Sequence, residues 1–241
     1  MMDLSIVIPV YNESHKIARD VGAAAAFLNE NNLAGQIIIV DDGSKDNTAE
    51  IAGSAEVTQN VNIEVIRYEK HRGKGYAVRK GIEQTTGEFV MFGDSGCCVP
   101  YQNTLRGLDL LKSGQCDIAH GSRKIEGSRI NTSQNLYRRI CSKVFHWYVI
   151  NSLKVPAELT DTQCGFKVYR GDVARHLYKE CVTDGFAFDI EIIMRAQKEG
   201  YRIKEFPIDW TCDPDSRLSP TRSLRCVLAE LRAIKRFMSK K

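Results

Sequence analysis

Two short runs of aliphatic and β-branched residues constrain the fold of this chain more than anything else in it. Leu4–Val10 reads LSIVIPV and Gln36–Val40 reads QIIIV. A strand with one wet face alternates apolar and polar residues, so a nearly continuous apolar run predicts a strand covered on both faces, as in a parallel sheet. Each run stops at turn-forming residues: Pro9 and Asn12 bound the first, and Asp41-Asp42-Gly43-Ser44 follows the second.

The remaining pattern alternates. Ser14 is placed to cap a helix whose apolar positions include Val21, Ala25 and Leu28, and a second helix is expected from about Asp46. Strands are expected at Asn62–Ile66, Glu88–Phe92 and Cys116–His120, and helices at Gly75–Gln84 and Tyr101–Lys112. Strand–helix alternation with short loops predicts an α/β fold, a Rossmann-like, mostly parallel sheet flanked by helices. No repeat, low-complexity tract or Pro/Gly-rich linker divides the 241 residues, so a single domain is expected.

Charge is informative only when split. Lys plus Arg is 34 and Asp plus Glu is 30, giving +4 overall. Residues 221–241 hold seven basic side chains and one acid, which makes that segment +6 and residues 1–220 −2. A nearly neutral body argues against nucleic acid as a partner. In the basic segment Leu224, Leu228, Leu231, Ile234 and Met238 form one helical stripe. Two readings stand there: an amphipathic helix on an anionic membrane surface, or a last helix covering the core. Val144, Phe145, Trp147, Tyr148 and Ile150 carry the same pair of readings, core or acyl-chain contact. No run approaches the roughly 18 apolar residues of a membrane span. The N-terminus shows no signal-peptide pattern, and the eight Cys include no CxxC pair, so reduced thiols in a cytosolic protein, without a zinc site, are expected.

Parallel sheets bind ligands at the carboxyl ends of their strands. The residues past those ends are Tyr11-Asn12-Glu13, Asp41-Asp42-Gly43-Ser44, His71-Arg72-Gly73-Lys74-Gly75, Asp94-Ser95-Gly96 and Gly121-Ser122-Arg123. All five carry ionisable groups. Glu13, Asp41, Asp42 and Asp94 are expected to converge on one cleft edge, where a hard cation such as Mg²⁺ or Mn²⁺ would offset their repulsion. His71–Gly75 suits an anion near a helix N-terminus. It is neither a Walker A loop nor a GxGxxG fingerprint, which disfavours a kinase or a dehydrogenase.

Ile6–Glu13 (IVIPVYNE), Ile39–Ser44 (IVDDGS) and Arg72–Gly75 (RGKG) resemble the signature of inverting family 2 glycosyltransferases, which have the GT-A fold. Asp161–Lys167 (DTQCGFK), Phe188–Glu191 (FDIE) and Glu205–Trp210 (EFPIDW) resemble the dolichyl-phosphate β-glucosyltransferases and their polyprenyl-phosphate relatives, dolichyl-phosphate mannose synthase among them. The resemblance runs from Leu4 to about Leu218. It implies a GT-A domain over 1–220, with 221–241 as a basic amphipathic helix packed on it. It further implies hexose transfer from a nucleotide diphosphate sugar, UDP-glucose favoured, to dolichyl or undecaprenyl phosphate at the cytoplasmic membrane face.

Residue by residue, the resemblance puts Pro9, Tyr11, Glu13, Asp41 and Asp42 around the base and ribose, and Lys74, Gly75 and Ser95 at the nucleotide edge. Asp94 matches the first acid of the family's Asp-x-Asp metal motif. Arg123, Arg138, Ser142 and Arg217 match acceptor-phosphate and diphosphate contacts, and Arg138 and Ser142, four apart, share one helix face. Asp189 is a candidate base or acceptor-orienting group, with a structural ion pair as the competing reading. One departure stands out: the chain has Asp94-Ser95-Gly96, without the second acid. That leaves open a metal site completed by another group, a metal-independent transferase, or a nucleotide-sugar-binding protein with little turnover. A family 2 transferase acting on a glycan hydroxyl is the enzyme alternative.

Overall fold

The structure is a computed structural model that describes residues 2–55, 60–131, 136–212, 227 and 229–236, without the side chains of 136–141. The strands are β1 (Leu4–Val10), β2 (Gly35–Asp41), β3 (Val61–Arg67), β4 (Phe89–Gly93), β5 (Ile118–Ser122), β6 (Arg129–Ile130), β7 (Phe166–Arg170), β8 (Ile203–Pro207) and β9 (Asp209–Trp210). The helices are α1 (Ile17–Glu30), α2 (Thr48–Gly53), α3 (Lys74–Glu83), α4 (Thr104–Lys112), α5 (Leu136–Leu153), α6 (Gly171–Glu180) and α7 (Phe188–Lys198). A 3-10 turn at Tyr101–Asn103 precedes α4.

Seven strands form one sheet in the order β3-β2-β1-β4-β7-β5-β8, and β6 pairs with β9 apart from it. The pairings are parallel except those of β7, which runs antiparallel to both β4 and β5. The consequence is positional. An antiparallel strand starts where its parallel neighbours end, so the segment leading into β7 lies at the same edge as the exits of β4 and β5. Gly93 at the end of β4 pairs with Phe166 at the start of β7.

The apolar runs are buried on both faces, as their composition predicts. Ile6, Ile8, Ile37 and Ile39 pack with Val21, Phe27 and Leu28 of α1. Their alternates Val7, Ile38 and Val40 pack with Ala77, Val78 and Ile82 of α3. Gly81 of α3 faces Val7 and Val40 so closely that a methyl group there would overlap both.

Boundaries shift where polar side chains take backbone donors first. Ser14 does not cap α1. Its N–H donates to Asp46 Oδ2, Glu13 O accepts from Lys16 and Ile17, and the helix starts at Ile17. Asp46 Oδ1 accepts the Thr48 N–H, which sets the start of α2. The fifth strand starts at Ile118 rather than Cys116. Asp117, just before it, is committed to Arg202 and Arg170.

A third cluster joins α5 and α7: Val149 and Leu153 meet Ile190 and Ile193, and Leu231 and Ile234 close over them. Residues 229–236 are helical, with Arg232, Lys235 and Arg236 exposed around those two buried side chains. The described part of the basic segment therefore covers the core. Leu224, Leu228 and Met238 lie outside the described residues. On α5, Phe145 and Tyr148 pack against this cluster, whereas Val144 and Trp147 are 61% and 65% exposed. Among the described residues no helix is long and apolar enough to cross a membrane. Leu231→Ala is expected to cost about 2–4 kcal/mol in urea unfolding, as a fully buried Leu does. A cost near zero would contradict the covering role.

Candidate active site

The exits of β1 and β2 are stapled together. Asn12, at φ 50°, donates its N–H to Ser44 Oγ at 2.7 Å, and its Oδ1 accepts from Lys45 N at 2.7 Å. Glu13 N donates to Thr48 Oγ1 at 2.8 Å, and its carboxylate pairs with Lys16 at 2.8 Å. Pro9 lies one residue before the end of β1, opposite Val40. The Tyr11 ring sits 4.2 Å from the His71 ring, tilted by 33°.

Asp41 is fully buried. Its Oδ1 accepts from Ser44 N at 2.9 Å, and its Oδ2, without a hydrogen bond, lies 3.6 Å from Arg67 Nε. Asp42 accepts from Arg72 N at 2.7 Å and Gly73 N at 2.8 Å, and meets His71 Nδ1 at 2.8 Å. The backbone donors just before α3 are thus already answered, and the anion there is Asp42's own carboxylate. Gly73, at φ 117°, holds the bend, where a methyl group would run into the Asp184 carbonyl. Asp184 also binds Arg72 at 3.2 Å and Arg79 at 2.6 Å.

Four charged side chains then alternate in sign inward from the cleft. Asp94 Oδ1 meets Lys74 Nζ at 2.5 Å. Behind Lys74 stands Asp189, 3% exposed, whose Oδ1 meets Lys167 Nζ at 2.7 Å. Lys167 also donates to Cys164 O at 2.6 Å. Burial pulls the Lys74 ammonium down, but Asp94 and Asp189 outweigh it and the net displacement is upward. Burial pushes the Asp189 carboxyl up, against the pull of Lys167 and Lys74. Asp94 lies flat on Gly165: its N–H donates to Gly165 O at 3.0 Å, and a Cβ on residue 165 would overlap its carboxylate.

The turn after Asp94 is held from α1. Asp20, buried, accepts from Gly96 N at 2.6 Å and Cys97 Sγ at 2.9 Å, while Arg19 donates to Gly96 O at 3.0 Å. Gly96 and Cys97 both have positive φ, 96° and 49°. Burial, with Asp20 beside it, pushes the Cys97 thiol up to about 12, so it stays a packing thiol.

On the far side of the cleft Arg123 and Asp161 form a two-pronged pair, Nε–Oδ2 2.6 Å and Nη2–Oδ1 2.7 Å, with the guanidinium 5.2 Å from the Trp210 ring. Burial opposes both charges, but each holds the other ionised: Arg123 shifts up and Asp161 down. Glu205 fixes the segment by accepting from Asp161 N at 2.7 Å and Thr160 Oγ1 at 2.8 Å.

Residues 5–178 match the sequence profile described as "Glycosyl transferase family 2". The chain is a family 2 glycosyltransferase. This transferase is 33% identical over 230 residues to the "Dolichyl-phosphate beta-glucosyltransferase" of Dictyostelium discoideum, covering 91% of this chain and 70% of that one. It is 32% identical to the protein of the same name in Saccharomyces cerevisiae, covering 86% and 66%. Among solved structures it resembles glucosyl-3-phosphoglycerate synthase of Mycobacterium tuberculosis, in complex with Mn²⁺, UDP and glucosyl-3-phosphoglycerate. That match has TM-score 0.73, 16% identity and coverage of 97% and 80%. Mannosyl-3-phosphoglycerate synthase of Rubrobacter xylanophilus gives 0.71, 17%, 100% and 76%. At such identities these two carry the fold alone, which is GT-A.

The transferase brings Tyr11, Asp41, Asp42, Lys74, Gly75, Asp94, Ser95 and Arg123 to the strand-exit edge, as expected. The expected cluster of four carboxylates is corrected: Glu13, Asp41, Asp42 and Asp94 each face their own cation or backbone donors. Of the two readings of Asp189, base or structural ion pair, the structure shows the pair: Asp189 is buried against Lys167. Glu191 is buried elsewhere, accepting from Val182 N, Thr183 N and Arg195. Ser142 is half-buried on α5; the side chain of Arg138, on the same helix, and the whole of Arg217 lie outside the described residues. Lys167, Gly165, Asp161 and Asp20 were given no role from the sequence, although the first three sit inside the DTQCGFK run.

Among the described residues, protein atoms alone do not make a resident metal centre. Among the described residues no group of three or more His, Cys, Asp or Glu could hold a metal ion, and the single carboxylate Asp94 already has a cation. One carboxylate fits only an ion whose other ligands are water and a donor diphosphate.

Arg123→Ala leaves Asp161 buried without its partner and is expected to cost about 3–5 kcal/mol at pH 7 by urea unfolding. Because Asp161 is held below its unfolded value, the pair stabilises above the ordinary carboxylate range and is lost as pH falls through the folded value. The difference between wild type and variant should therefore shrink toward pH 3.

Proposed function

We propose that this transferase moves glucose from UDP-glucose to the phosphate of a polyprenyl phosphate, dolichyl or undecaprenyl, with inversion to a β-linked product. The names of the relatives above support the substrate class. One feature of the site supports the acceptor chemistry: among the described residues the cleft offers no carboxylate free to act as a base. Asp94 is held by Lys74, Asp189 is buried against Lys167, and Asp161 is locked to Arg123. A hydroxyl acceptor requires a general base, because its pKa is far above neutral. A phosphate monoester, with a second pKa of about 6, arrives as an anion and needs none.

In this reading a phosphate oxygen attacks the sugar C1, the bond from C1 to the diphosphate oxygen breaks, and UDP leaves with the bonding pair. The chain's contribution is placement and charge. Tyr11 and Ser95 border the nucleotide, the buried Asp41 and Asp42 hold the loops beneath it, and Lys74 at the start of α3 meets the diphosphate. Arg123 offers Nη1 to the acceptor phosphate while its Nε and Nη2 stay with Asp161, and the family resemblance assigns Arg138, Ser142 and Arg217 to the same phosphate groups. Asp94 would hold a Mg²⁺ or Mn²⁺ that comes with the diphosphate, where the ion would neutralise charge on the leaving group. Asp189 is a positioning residue that acts through Lys74. The lipid acceptor places the enzyme on a membrane surface, and exposed Val144 and Trp147 on α5 give it an apolar contact there.

The test is incubation with labelled UDP-glucose and GDP-mannose, with and without dolichyl phosphate. Lipid-dependent glucosyl transfer is expected from UDP-glucose, and lipid-independent transfer to a glycan would overturn the reading. Arg138→Ala is expected to raise KM for the lipid phosphate about tenfold or more, the loss of one charge-assisted contact. Its affinity for UDP-glucose, read by calorimetry, should stay near wild type.

A further inference from the structure

The charge arrangement at Asp94 points to a role for Lys74 that the Asp94-Ser95-Gly96 motif leaves unfilled. A divalent ion is ordinarily held by a donor set of net negative charge. Here the inward series is Asp94, Lys74, Asp189, Lys167, two carboxylates and two ammoniums, and it sums to zero before any ion arrives. The Lys74 ammonium occupies Asp94 Oδ1 at 2.5 Å, so an ion brought to this carboxylate would meet a positive charge already bound there.

Three features keep it there. Asp94 is pressed against Gly165, with no room for a side chain behind it. Lys74 is the first residue of α3, a helix whose start is tied down by the Asp42 carboxylate. Its ammonium also lies 5.8 Å from the Phe92 ring and 5.9 Å from the Phe188 ring, between the two carboxylates. Meanwhile the residue at 96 has no side chain, and its N–H belongs to Asp20.

We propose that Lys74 is a built-in counter-cation. It excludes a divalent ion from Asp94 while no donor is bound, and it supplies part of the positive charge that a donor diphosphate requires. The inference rests on the reading that Asp94 faces that diphosphate, but not on which lipid or sugar accepts the hexose.

The experiment is Mn²⁺ titration of the full chain, followed by electron paramagnetic resonance, with no nucleotide and no lipid present. Wild type is expected to bind Mn²⁺ weakly. Lys74→Met should bind it about tenfold tighter or more, once like-charge repulsion at Asp94 is gone. The gain should vanish in the double variant Lys74→Met/Asp94→Ala, and Lys74→Arg, which keeps the charge, should behave as wild type. Calorimetry with UDP-glucose in the presence of a chelator should show wild type still binding and Lys74→Met weakened about tenfold or more. Tight Mn²⁺ binding by donor-free wild type would overturn the proposal. So would a Lys74→Met protein with unchanged Mn²⁺ affinity, or one with unchanged metal-free UDP-glucose affinity. Lys74→Arg guards against a folding failure of the Met variant, since tight Mn²⁺ binding by the Arg variant also contradicts charge exclusion. Failure of the lipid-phosphate reading would show only in the transfer assay and leave these binding results standing.

Discussion

The buried pair between Lys167 and Asp189 is the interaction on which the site depends. Lys167 comes from β7 and Asp189 from the first turn of α7, and both are almost completely shielded from water. Two opposite charges in a dry interior persist only if each has the other, and removing one typically costs about 3–5 kcal/mol. The pair therefore fixes α7 against the one antiparallel strand of the sheet. It also sets a negative charge directly behind Lys74, which keeps that ammonium at the floor of the cleft. Lys167's bond to the Cys164 carbonyl shapes the segment on which Asp94 rests.

The topology makes this possible. A sheet of parallel strands alone would bring only the loops after each strand to its carboxyl edge. Inserting β7 in the opposite direction adds the segment before a strand, and that segment carries Asp161, Cys164 and Gly165. One edge thus receives partners for Arg123 and Asp94 from a part of the chain some forty to seventy residues away from them. The reversal also brings Arg123 and Asp94 onto the same short stretch, 161–167, through Asp161 and Gly165.

Much of this was legible in the sequence, and the failures share one cause. The buried strands showed themselves because their burial leaves no polar positions. The strand-exit loops showed themselves because their ionisable residues follow each apolar run. What a linear reading cannot supply is the identity of the partner. Glu13, Asp41, Asp42 and Asp94 look like a carboxylate cluster until Lys16, Arg67, the backbone at 72–73 and Lys74 are placed beside them. Asp189 reads equally as a base or as half of an ion pair until Lys167, 22 positions earlier, is found against it. The start of α1 was misplaced for the same reason, since the donor expected to be capped by Ser14 is met by a turn from Glu13, and Ser14 itself is drawn to Asp46. Arg123 was found as a cation by its place after β5, but not as half of a pair with Asp161.

The turn at Gly96 has a consequence for substitution there. Putting an acid at 96 would not by itself make a two-carboxylate centre. The backbone there sits at φ 96°, a region that side-chain-bearing residues seldom occupy, and its N–H is held by the buried Asp20 carboxylate. A new carboxylate would arrive strained and next to an existing negative charge. Position 20 would have to change with position 96, and the Arg19 and Cys97 contacts would have to be rebuilt around them. Adding a carboxylate at 96 is thus a change of the whole turn, not of one side chain.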